Sequence, residues 1–236
     1  MNMPVAIIPA RGGSRRIPKK NLRPLAGVPL VVRAIDLLAR IRSIGMIVVS
    51  TDDRDIANLA IDRGARVLGL REQSLSGSHV PTLPVIKDTI QKLEALDNVT
   101  VGVVVVAYSA AALATPADVE AGLDMLSMPG TDAVISVGEF PHPIQRALEL
   151  DADGFAHFVS PENLGIRSQD LPPRYFDAGQ LYFGHRAYWM DRDSMTSVKR
   201  RLLKLPGWAA VDIDTEEDWA RAEFAVRYRQ DGTNPE

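Results

Sequence analysis

A dense group of cationic side chains follows directly on the first apolar run of the chain. The run Val5–Ile8 leads into a loop, residues 10–21, that holds Gly12, Gly13 and five cations. Backbone amides, guanidinium groups and ammonium groups around one small volume would bind a triphosphate. The loop has neither the Gly-Lys-Ser/Thr of a Walker loop nor Gly-x-Gly-x-x-Gly. The residues alone therefore leave two alternatives open, a phosphate site and a solvated basic loop.

A second candidate group is an acidic pair near the other end of the chain, Asp212 and Asp214. The pair closes an apolar segment, Ala209–Ile213, which we predict to be a strand. Side chains two apart on a strand share a face, so both carboxylates can reach one hard cation. Mg²⁺ with added phosphate and water oxygens is the expected ion. The alternative is that Asp214 caps the next helix and Asp212 faces solvent.

Further polar residues are candidates for contacts to a substrate. Arg71 follows a predicted strand and adds a cation at the sheet edge. Gln145, Arg146, Arg167 and Gln180 lie further on, and arginine beside amides suits a sugar that bears a carboxylate. A solvated arginine and ordinary loop hydrogen bonding are the alternatives. Since no nucleophile–base pair is evident, the predicted chemistry is direct phosphoryl substitution through positioning and charge neutralisation.

Composition narrows the class of protein. The 236 residues suit a single domain, 1–236, and 46% hydrophobic and 24% charged residues suit a water-soluble globule. A net charge of −3 argues against nucleic acid as a partner, whereas local positive charge suits a small anion. The lack of cysteine excludes disulfides and thiolate metal sites. No run reaches bilayer length and no leader is evident, so we expect a cytoplasmic protein without a membrane partner.

Strands and helices alternate through the first part of the chain. Parallel strands need crossovers, so this order predicts a doubly wound, mostly parallel α/β sheet of the Rossmann type. Ligands bind such sheets at the carboxyl ends of the strands, where the basic loop would lie. Thr51 or Asp52 is expected to cap the second helix. The predicted strands are Val5–Ala10, Met46–Val49, Arg66–Leu70, Val101–Val106 and Ala133–Val137, with helices from Pro29, after Asp52, at Pro84–Leu96 and at Ala117–Met128.

The pattern changes after Gly138. Residues 139–178 are rich in proline and aromatic residues, and they contain a predicted hairpin around Asp153-Gly154. We interpret this stretch as a β-rich inserted arm. Gln180–Gly184 is predicted to return to the sheet, and Thr215 is predicted to cap a last helix in a capping box with Asp218.

With these motifs in place, the chain resembles the cytidylyltransferases that activate nonulosonic (sialic-type) acids as CMP-sugars. The matching segments run nearly end to end and keep the family's order: Ile8–Asn21, Val49–Asp53, Leu70-Arg71 with Leu75-Ser76, and Val211–Thr215. The stretches that resemble the pseudaminic acid branch most are Phe140–Arg146, Arg167–Leu171 and Asp177–Gln180. The N-acetylneuraminate branch tends to carry Asn-Gly where this chain has Ala178-Gly179.

The resemblance implies a nucleotidyltransferase in which the anomeric hydroxyl of the sugar attacks the α-phosphorus of CTP and pyrophosphate leaves. Asp212 and Asp214 would bind Mg²⁺, and one of them or a metal-bound water would deprotonate the hydroxyl. The implied catalytic residues are Arg11, Arg15, Lys20, Asp212 and Asp214. The implied nucleotide-binding residues are Ala10, Arg11, Gly12, Gly13, Ser14, Arg15, Lys20, Asn21, Arg71 and Ser76. Gln145, Arg146, Arg167 and Gln180 would face the sugar, and the arm would pack across a homodimer partner.

Three departures from the family pattern leave alternatives open. Arg15 stands where the family has lysine, Tyr108-Ser-Ala-Ala-Ala112 replaces a turn with proline and threonine, and Ser76-Gly-Ser-His79 replaces Ser-Asp-Asp/Thr. The leading hypothesis is an active enzyme that uses pseudaminic acid, with N-acetylneuraminate or legionaminate as other acceptors. The rivals are a catalytically impaired homologue that binds nucleotide or CMP-sugar as a partner module, and a transferase that uses another nucleoside triphosphate.

Overall fold

A computed structural model of the chain describes residues 3–191 and 198–230. Its strands and helices alternate through the first half and are followed by a hairpin and a short C-terminal part. The strands are β1 (Val5–Pro9), β2 (Pro24–Leu25), β3 (Val28–Pro29), β4 (Met46–Ser50), β5 (Val103–Ala107), β6 (Ala133–Glu139), β7 (Leu148–Leu150), β8 (Ala156–Phe158), β9 (Tyr175–His185) and β10 (Arg200–Lys204). The helices are α1 (Leu30–Leu38), α2 (Arg54–Asp62), α3 (Thr82–Asp97), α4 (Pro116–Ser127), α5 (Arg186–Met190) and α6 (Glu216–Gln230).

The central sheet has the strand order β10-β6-β9-β5-β1-β4. Strand β1 runs parallel to both β4 and β5, and β10 runs parallel to β6. Only β9 is antiparallel to its neighbours, β5 and β6, in this sheet. The predicted mostly parallel α/β sheet is therefore confirmed.

Both faces of this sheet are covered, which explains its apolar strands. In β1, Ala6 and Ile8 belong to the core under α1, α4 and α6, while Val5 and Ile7 belong to a second core under α3. A strand buried on both faces has no polar side to present, so its sequence is apolar throughout. None of the described helices is long and apolar enough to cross a membrane.

Helix α2 begins one residue later than predicted. Its cap is Asp53, whose Oδ1 accepts hydrogen bonds from the backbone amides of Asp55 at 2.8 Å and Ile56 at 3.1 Å. Thr51 and Asp52 are not the cap because each already has a partner: Thr51 Oγ1 accepts from Asp53 N, and Asp52 Oδ1 accepts from Gly12 N. Asp52, one of the two predicted caps, therefore binds the loop after β1 and does not cap α2.

The predicted capping box at the start of α6 is confirmed. The Asp218 backbone amide donates to Thr215 Oγ1 at 3.2 Å, and Asp218 Oδ2 accepts from the Thr215 backbone amide at 2.9 Å. Aspartate therefore closes the box where glutamate or glutamine is more usual.

Two predicted strands are wrong. Residues 66–70 form only an isolated bridge between Arg66 and Val48. Residues 209–213 are irregular, and the edge of the sheet is instead β10, an earlier segment. The carbonyl oxygens of Ala209 and Val211 accept hydrogen bonds from a glutamine side chain. An apolar run alone does not show whether its backbone pairs with a strand or with side chains.

Residues 140–174 connect β6 to β9 and contain the predicted hairpin. Strands β7 and β8 pair with each other, and Asp151 Oδ1 closes their turn by accepting from the backbone amides of Asp153 and Phe155. The predicted arm, 139–178, also includes the first residues of β9. Most side chains of the hairpin are exposed.

The contact between α4 and β9 leads to a test of the packing. A Cβ atom at Gly122 would lie 2.3 Å from Cζ of the fully buried Phe183. Alanine is usually favoured over glycine in helices by about 1 kcal/mol, but overpacking costs about 1–3 kcal/mol. We therefore expect Gly122→Ala to lower the free energy of unfolding, as measured by urea denaturation. Gly165→Ala, where a Cβ meets nothing within 4 Å, is the control; equal effects of both variants would contradict this packing.

Candidate active site

A cavity of about 590 Å³ lies where the basic loop meets the acidic pair. Five segments that are far apart in sequence supply its wall. The polar and charged lining residues are Arg11, Ser14, Arg15, Arg16, Lys20, Asn21, Arg71, Ser78, His79, Thr82, Tyr108, Ser109, Tyr182, Asp212 and Asp214. Its apolar and glycine lining is Pro9, Leu75, Gly77, Val80, Val85, Ala110 and Gly179.

The basic loop is held in place at both of its ends. Near its start, the Gly12 backbone amide donates to Asp52 Oδ1 at 2.9 Å, and a Cβ on Gly12 would lie 2.6 Å from Asp53 Oδ2. At its end, Asn21 is buried and its Nδ2 donates to the Arg11 carbonyl at 2.8 Å. Glycine is therefore required for the close approach, and Asn21 acts by closing the loop on itself.

The acidic segment contacts this loop directly. Lys20 Nζ donates to the Ile213 carbonyl at 2.6 Å and lies 3.3 Å from Asp214 Oδ1. Arg16 forms an ion pair with Asp214 Oδ2 at 2.5 Å. Arg16 was not among the predicted site residues, although its place between Arg15 and Lys20 in one basic loop is a signal for it. The structure thus brings the two predicted halves of the site together.

Asp212 differs from Asp214 in its surroundings. No described residue gives the Asp212 carboxylate a hydrogen bond or an ion pair. The pKa of Asp212 is raised, first because protein surrounds its inner side and excludes water, and second because Asp214 is close; Lys20 and Arg16 oppose the shift. An acid with a raised pKa resists ionisation, and a cation beside it would relieve that cost. The two carboxylates are oxygen ligands of the kind that Mg²⁺ prefers, so they fit this ion.

An irregular bulge in β9 lies next to Asp212. Ile135 of β6 pairs with Tyr182 and Val137 pairs with Asp177, so residues 178–181 lie opposite Ser136 alone. Within this bulge Gly179 has a φ of +65°, and a Cβ there would lie 2.9 Å from Asp212 Cγ. A side chain at this position would displace the carboxylate, because its backbone is left-handed and the contact is close.

Gln180 lies in the same bulge and does not line the cavity. It is fully buried, and its Nε2 donates to the carbonyls of Ala209 at 2.5 Å and Val211 at 3.2 Å. These bonds hold the segment that leads into the acidic pair. The structure thus gives Gln180 a scaffold position, and its predicted contact to a sugar stays a prediction.

The other predicted sugar residues make their contacts within residues 140–174. Gln145 Nε2 donates to the Pro172 carbonyl at 2.7 Å, and Arg146 Nη2 donates to the Ile166 carbonyl at 2.5 Å. Arg167 forms an ion pair with Asp170. None of these three residues lines the cavity of its own chain.

The predicted nucleotide-binding residues divide into two groups. Arg71 lines the cavity, and its Nη2 donates to the Ser50 carbonyl at 2.6 Å; burial lowers its pKa. Ser76 does not line the cavity, since its hydroxyl donates to the Glu72 carbonyl at 2.8 Å. Arg11, Ser14, Arg15, Lys20 and Asn21 line it, whereas Ala10, Gly12 and Gly13 do not.

The alanine-rich turn after β5 is an ordered wall. Residues Ser109–Leu113 form a buried 3-10 helix, and it contacts α1. Just before it, the Tyr108 hydroxyl bonds to the Thr82 hydroxyl, and the Tyr108 ring meets the Tyr182 ring edge-on at 5.7 Å. The sequence departs from the family pattern here, but the fold keeps a defined surface at this edge.

Comparison with known proteins agrees with this architecture. Residues 5–134 match the family model described as cytidylyltransferase. A pseudaminic acid cytidylyltransferase of Campylobacter jejuni is 30% identical over 214 residues, which cover 91% of this chain and 92% of that protein. A CMP-N,N'-diacetyllegionaminic acid synthase of Legionella pneumophila is 29% identical over 234 residues, 96% of this chain and 97% of that protein. A structure of CMP:2-keto-3-deoxy-manno-octonic acid synthetase complexed with CTP superposes with a TM-score of 0.67 at 16% identity, covering 96% of this chain and 99% of that one.

A mostly parallel α/β sheet whose first loop is cationic and faces a pair of carboxylates defines a nucleotidyltransferase. The family match extends over more than half of the chain, and the similarity to the Campylobacter protein extends over nearly all of it. The chain belongs to the cytidylyltransferase family.

The different surroundings of the two carboxylates predict opposite effects on stability. Because the folded-state pKa of Asp212 is raised, its ionisation opposes folding, and stability falls as the pH rises through that pKa. Asp212→Asn should therefore raise the free energy of unfolding at pH 7 by a few tenths of a kcal/mol, since solvent screens this exposed group. The gain should vanish below about pH 4, where the carboxyl is protonated in both states.

Asp214→Asn is the matched comparison. It removes the ion pairs to Arg16 and Lys20, so it should lower stability at pH 7 by about 0.5 kcal/mol. Urea denaturation at pH 7 and pH 3.5, without added metal, measures both changes. A loss of stability in Asp212→Asn at pH 7 would contradict the assignment.

Proposed function

We propose that the chain transfers CMP from CTP to the anomeric hydroxyl of a nonulosonic acid, with pseudaminic acid as the acceptor. In this reaction a new bond forms between the sugar oxygen and the α-phosphorus, the bond between the α-phosphorus and the bridging oxygen breaks, pyrophosphate leaves and the hydroxyl proton is released. The observation that carries the proposal is the contact of Lys20 with Asp214 and the Ile213 carbonyl, which puts the basic loop and the acidic pair around one cavity. The similarity to pseudaminic acid and legionaminic acid enzymes supports the class of acceptor.

The cations of the loop supply the charge neutralisation. Arg11, Arg15, Arg16 and Lys20 line one cavity, and their positive charge would stabilise the negative charge that develops on the pyrophosphate as it leaves. Arg15 stands where the family has lysine. Its planar guanidinium can contact two phosphate oxygens at once, so the substitution keeps the charge and adds directionality.

Asp212 and Asp214 would hold Mg²⁺. The fit rests on the unpaired carboxylate of Asp212 and the like charge of Asp214 next to it. When bound, the ion neutralises triphosphate charge and orients the phosphates. Asp214 would then give up its ion pairs with Arg16 and Lys20, and both cations would be free to contact the nucleotide.

The arm suggests a homodimer. Residues 140–174 expose eight large apolar side chains, and an exposed apolar surface of this kind is typical of an interaction site. Packing against a second copy would bury this surface and could bring Gln145, Arg146 and Arg167 to the partner's cavity. The residues concerned are Ile144, Leu148, Leu150, Phe155, Phe158, Val159, Leu164 and Ile166.

A turnover panel tests the proposed reaction. Purified full-length protein receives CTP, Mg²⁺ and either pseudaminic, legionaminic or N-acetylneuraminic acid, and pyrophosphate release is followed. We expect pseudaminic acid to give the highest kcat/KM. Asp214→Ala should lower kcat/KM by about 100-fold or more, because it removes a metal ligand, whereas Asp62→Ala on the exposed end of α2 should change nothing.

The rival function, a nucleotide-binding module without turnover, is motivated by the alanine-rich replacement of the family's proline and threonine at 109–112. It predicts CTP binding by calorimetry with no pyrophosphate from any acid. Under this rival, Ser109→Pro with Ala110→Thr should create activity. The backbone permits proline, since Tyr108 is extended with a ψ of 156°. Under our proposal the wild-type protein is active, and no release from any acid by the folded protein would refute it.

A charge placed on the arm tests the dimer. Leu150 is 73% exposed in the hairpin, and Phe224 is 71% exposed on α6. We expect Leu150→Asp to shift the protein from dimer to monomer in analytical ultracentrifugation, since an aspartate buried at an apolar interface is unpaired. Phe224→Asp is the control and should leave the dimer intact. A wild-type monomer, or equal effects of the two variants, would argue against the arm as the interface.

A further inference from the structure

The bulge in β9 is closed by one oxygen atom of a residue outside the cavity lining. Asp177 Oδ1 accepts from the Gly179 backbone amide at 2.9 Å and from the Tyr182 hydroxyl at 2.8 Å. Gly179 lies within the bulge and Tyr182 directly follows it, and both line the cavity. A single carboxylate thus ties two parts of the cavity wall together.

Each of these bonds has a consequence at the site. Gly179 is the residue against which Asp212 rests, at the close approach described above. Tyr182 contacts Tyr108 edge-on and completes the wall beside the alanine-rich turn. Arg11 reaches a different segment, since its Nη1 donates to the Gly77 carbonyl at 3.3 Å. The bulge therefore shapes the wall beside Asp212 and Tyr108, and Arg11 makes no contact to it among those described.

The bond to Asp177 also fixes what the Tyr182 oxygen can offer to a ligand. A phenol has one proton, and here that proton is donated to Asp177. Burial, and after it the Asp177 carboxylate, raises the pKa of Tyr182, so the proton is retained at neutral pH. Towards a ligand, the Tyr182 oxygen can therefore act only as a hydrogen-bond acceptor. The groups that suit it are hydroxyl and amide N–H donors.

We propose that Asp177 is a positioning residue for the acceptor sugar, which holds the bulge closed and presents the Tyr182 oxygen as an acceptor for a hydroxyl or amide N–H of that sugar. This inference rests on the proposed function for the identity of the acceptor. Asp177 itself touches neither substrate. Its effect passes through Tyr182 and through Gly179, which supports Asp212.

Steady-state kinetics of four variants test this role. In Asp177→Ala both hydrogen bonds are lost, so KM for the acid should rise about tenfold while KM for CTP stays within about twofold. Asp177→Asn keeps an oxygen that accepts both bonds, so KM for the acid should stay within about threefold of wild type. Tyr182→Phe should match Asp177→Ala. The double variant Asp177→Ala/Tyr182→Phe should be no worse than either single change, because the two residues act as one unit.

Hydrogen exchange of the peptide that spans residues 177–182 gives a second readout that does not depend on activity. Asp177→Ala should speed exchange there, since the Gly179 amide loses its acceptor. Asp177→Asn and the control Asp62→Ala should not. An unchanged KM for the acid in Asp177→Ala, or an equal rise in both KM values, would overturn the positioning role. Asp177→Asn as impaired as Asp177→Ala would also overturn it.

The two proposals fail in different ways. A wild-type protein that turns over no acid would refute the proposed function and with it the acceptor contact. The exchange comparison would then still decide whether Asp177 holds the bulge, and equal exchange in wild type and Asp177→Ala would refute that as well.

Discussion

The site depends on one contact between opposite ends of the chain. Lys20, in the loop after the first strand, donates to the Ile213 carbonyl and approaches Asp214. A triphosphate needs cations around it, and a divalent metal needs carboxylates, but the two sets of charges must lie close enough to act on one ligand. The contact meets this requirement because it pairs a cation of the loop with a carboxylate of the acidic pair. The negative charge of Asp214 also offsets part of the repulsion among the positive charges of the loop.

The parallel sheet explains why this contact is possible. The loop leaves β1, which lies between β5 and the edge strand β4, at its carboxyl end, where ligands bind in such folds. The acidic segment, in contrast, is not part of the sheet. It reaches the loop because Gln180, in the bulge of β9, holds its backbone through two carbonyls. The bulge in the antiparallel strand thus contacts this segment at two points, through the side chain of Gln180 and through Gly179 beside Asp212.

The cavity has two kinds of wall. Its cationic part is built of long side chains from the basic loop, and Asp214 pairs with two of them, Arg16 and Lys20. Its other part is built of uncharged residues on packed elements: Ala110 on the 3-10 helix, Gly179 in the bulge, and two tyrosines in edge contact. A wall of packed uncharged residues suits discrimination of shape, whereas clustered cations suit a ligand whose main feature is charge. This division agrees with a site for one nucleotide and one sugar.

The sequence by itself determined the fold class, the basic loop, the acidic pair and most helix and strand positions. These features depend on local sequence signals, such as continuous apolar runs, the density of cations around Gly12 and Gly13, and the capping box at Thr215. Its motifs also resembled a family to which the chain does belong.

Tertiary structure decided the remainder. The cap of α2 moved to Asp53 because the basic loop uses Asp52, and the segment before Asp212 became irregular because Gln180 takes its carbonyls. Gln180 was predicted at the sugar, and Arg16 and Tyr182 were not predicted at the cavity at all. Each of these outcomes depends on a partner that is distant in sequence. A residue's type and its neighbours in the chain show what bonds it can form, but only the packed fold determines which partner is within reach.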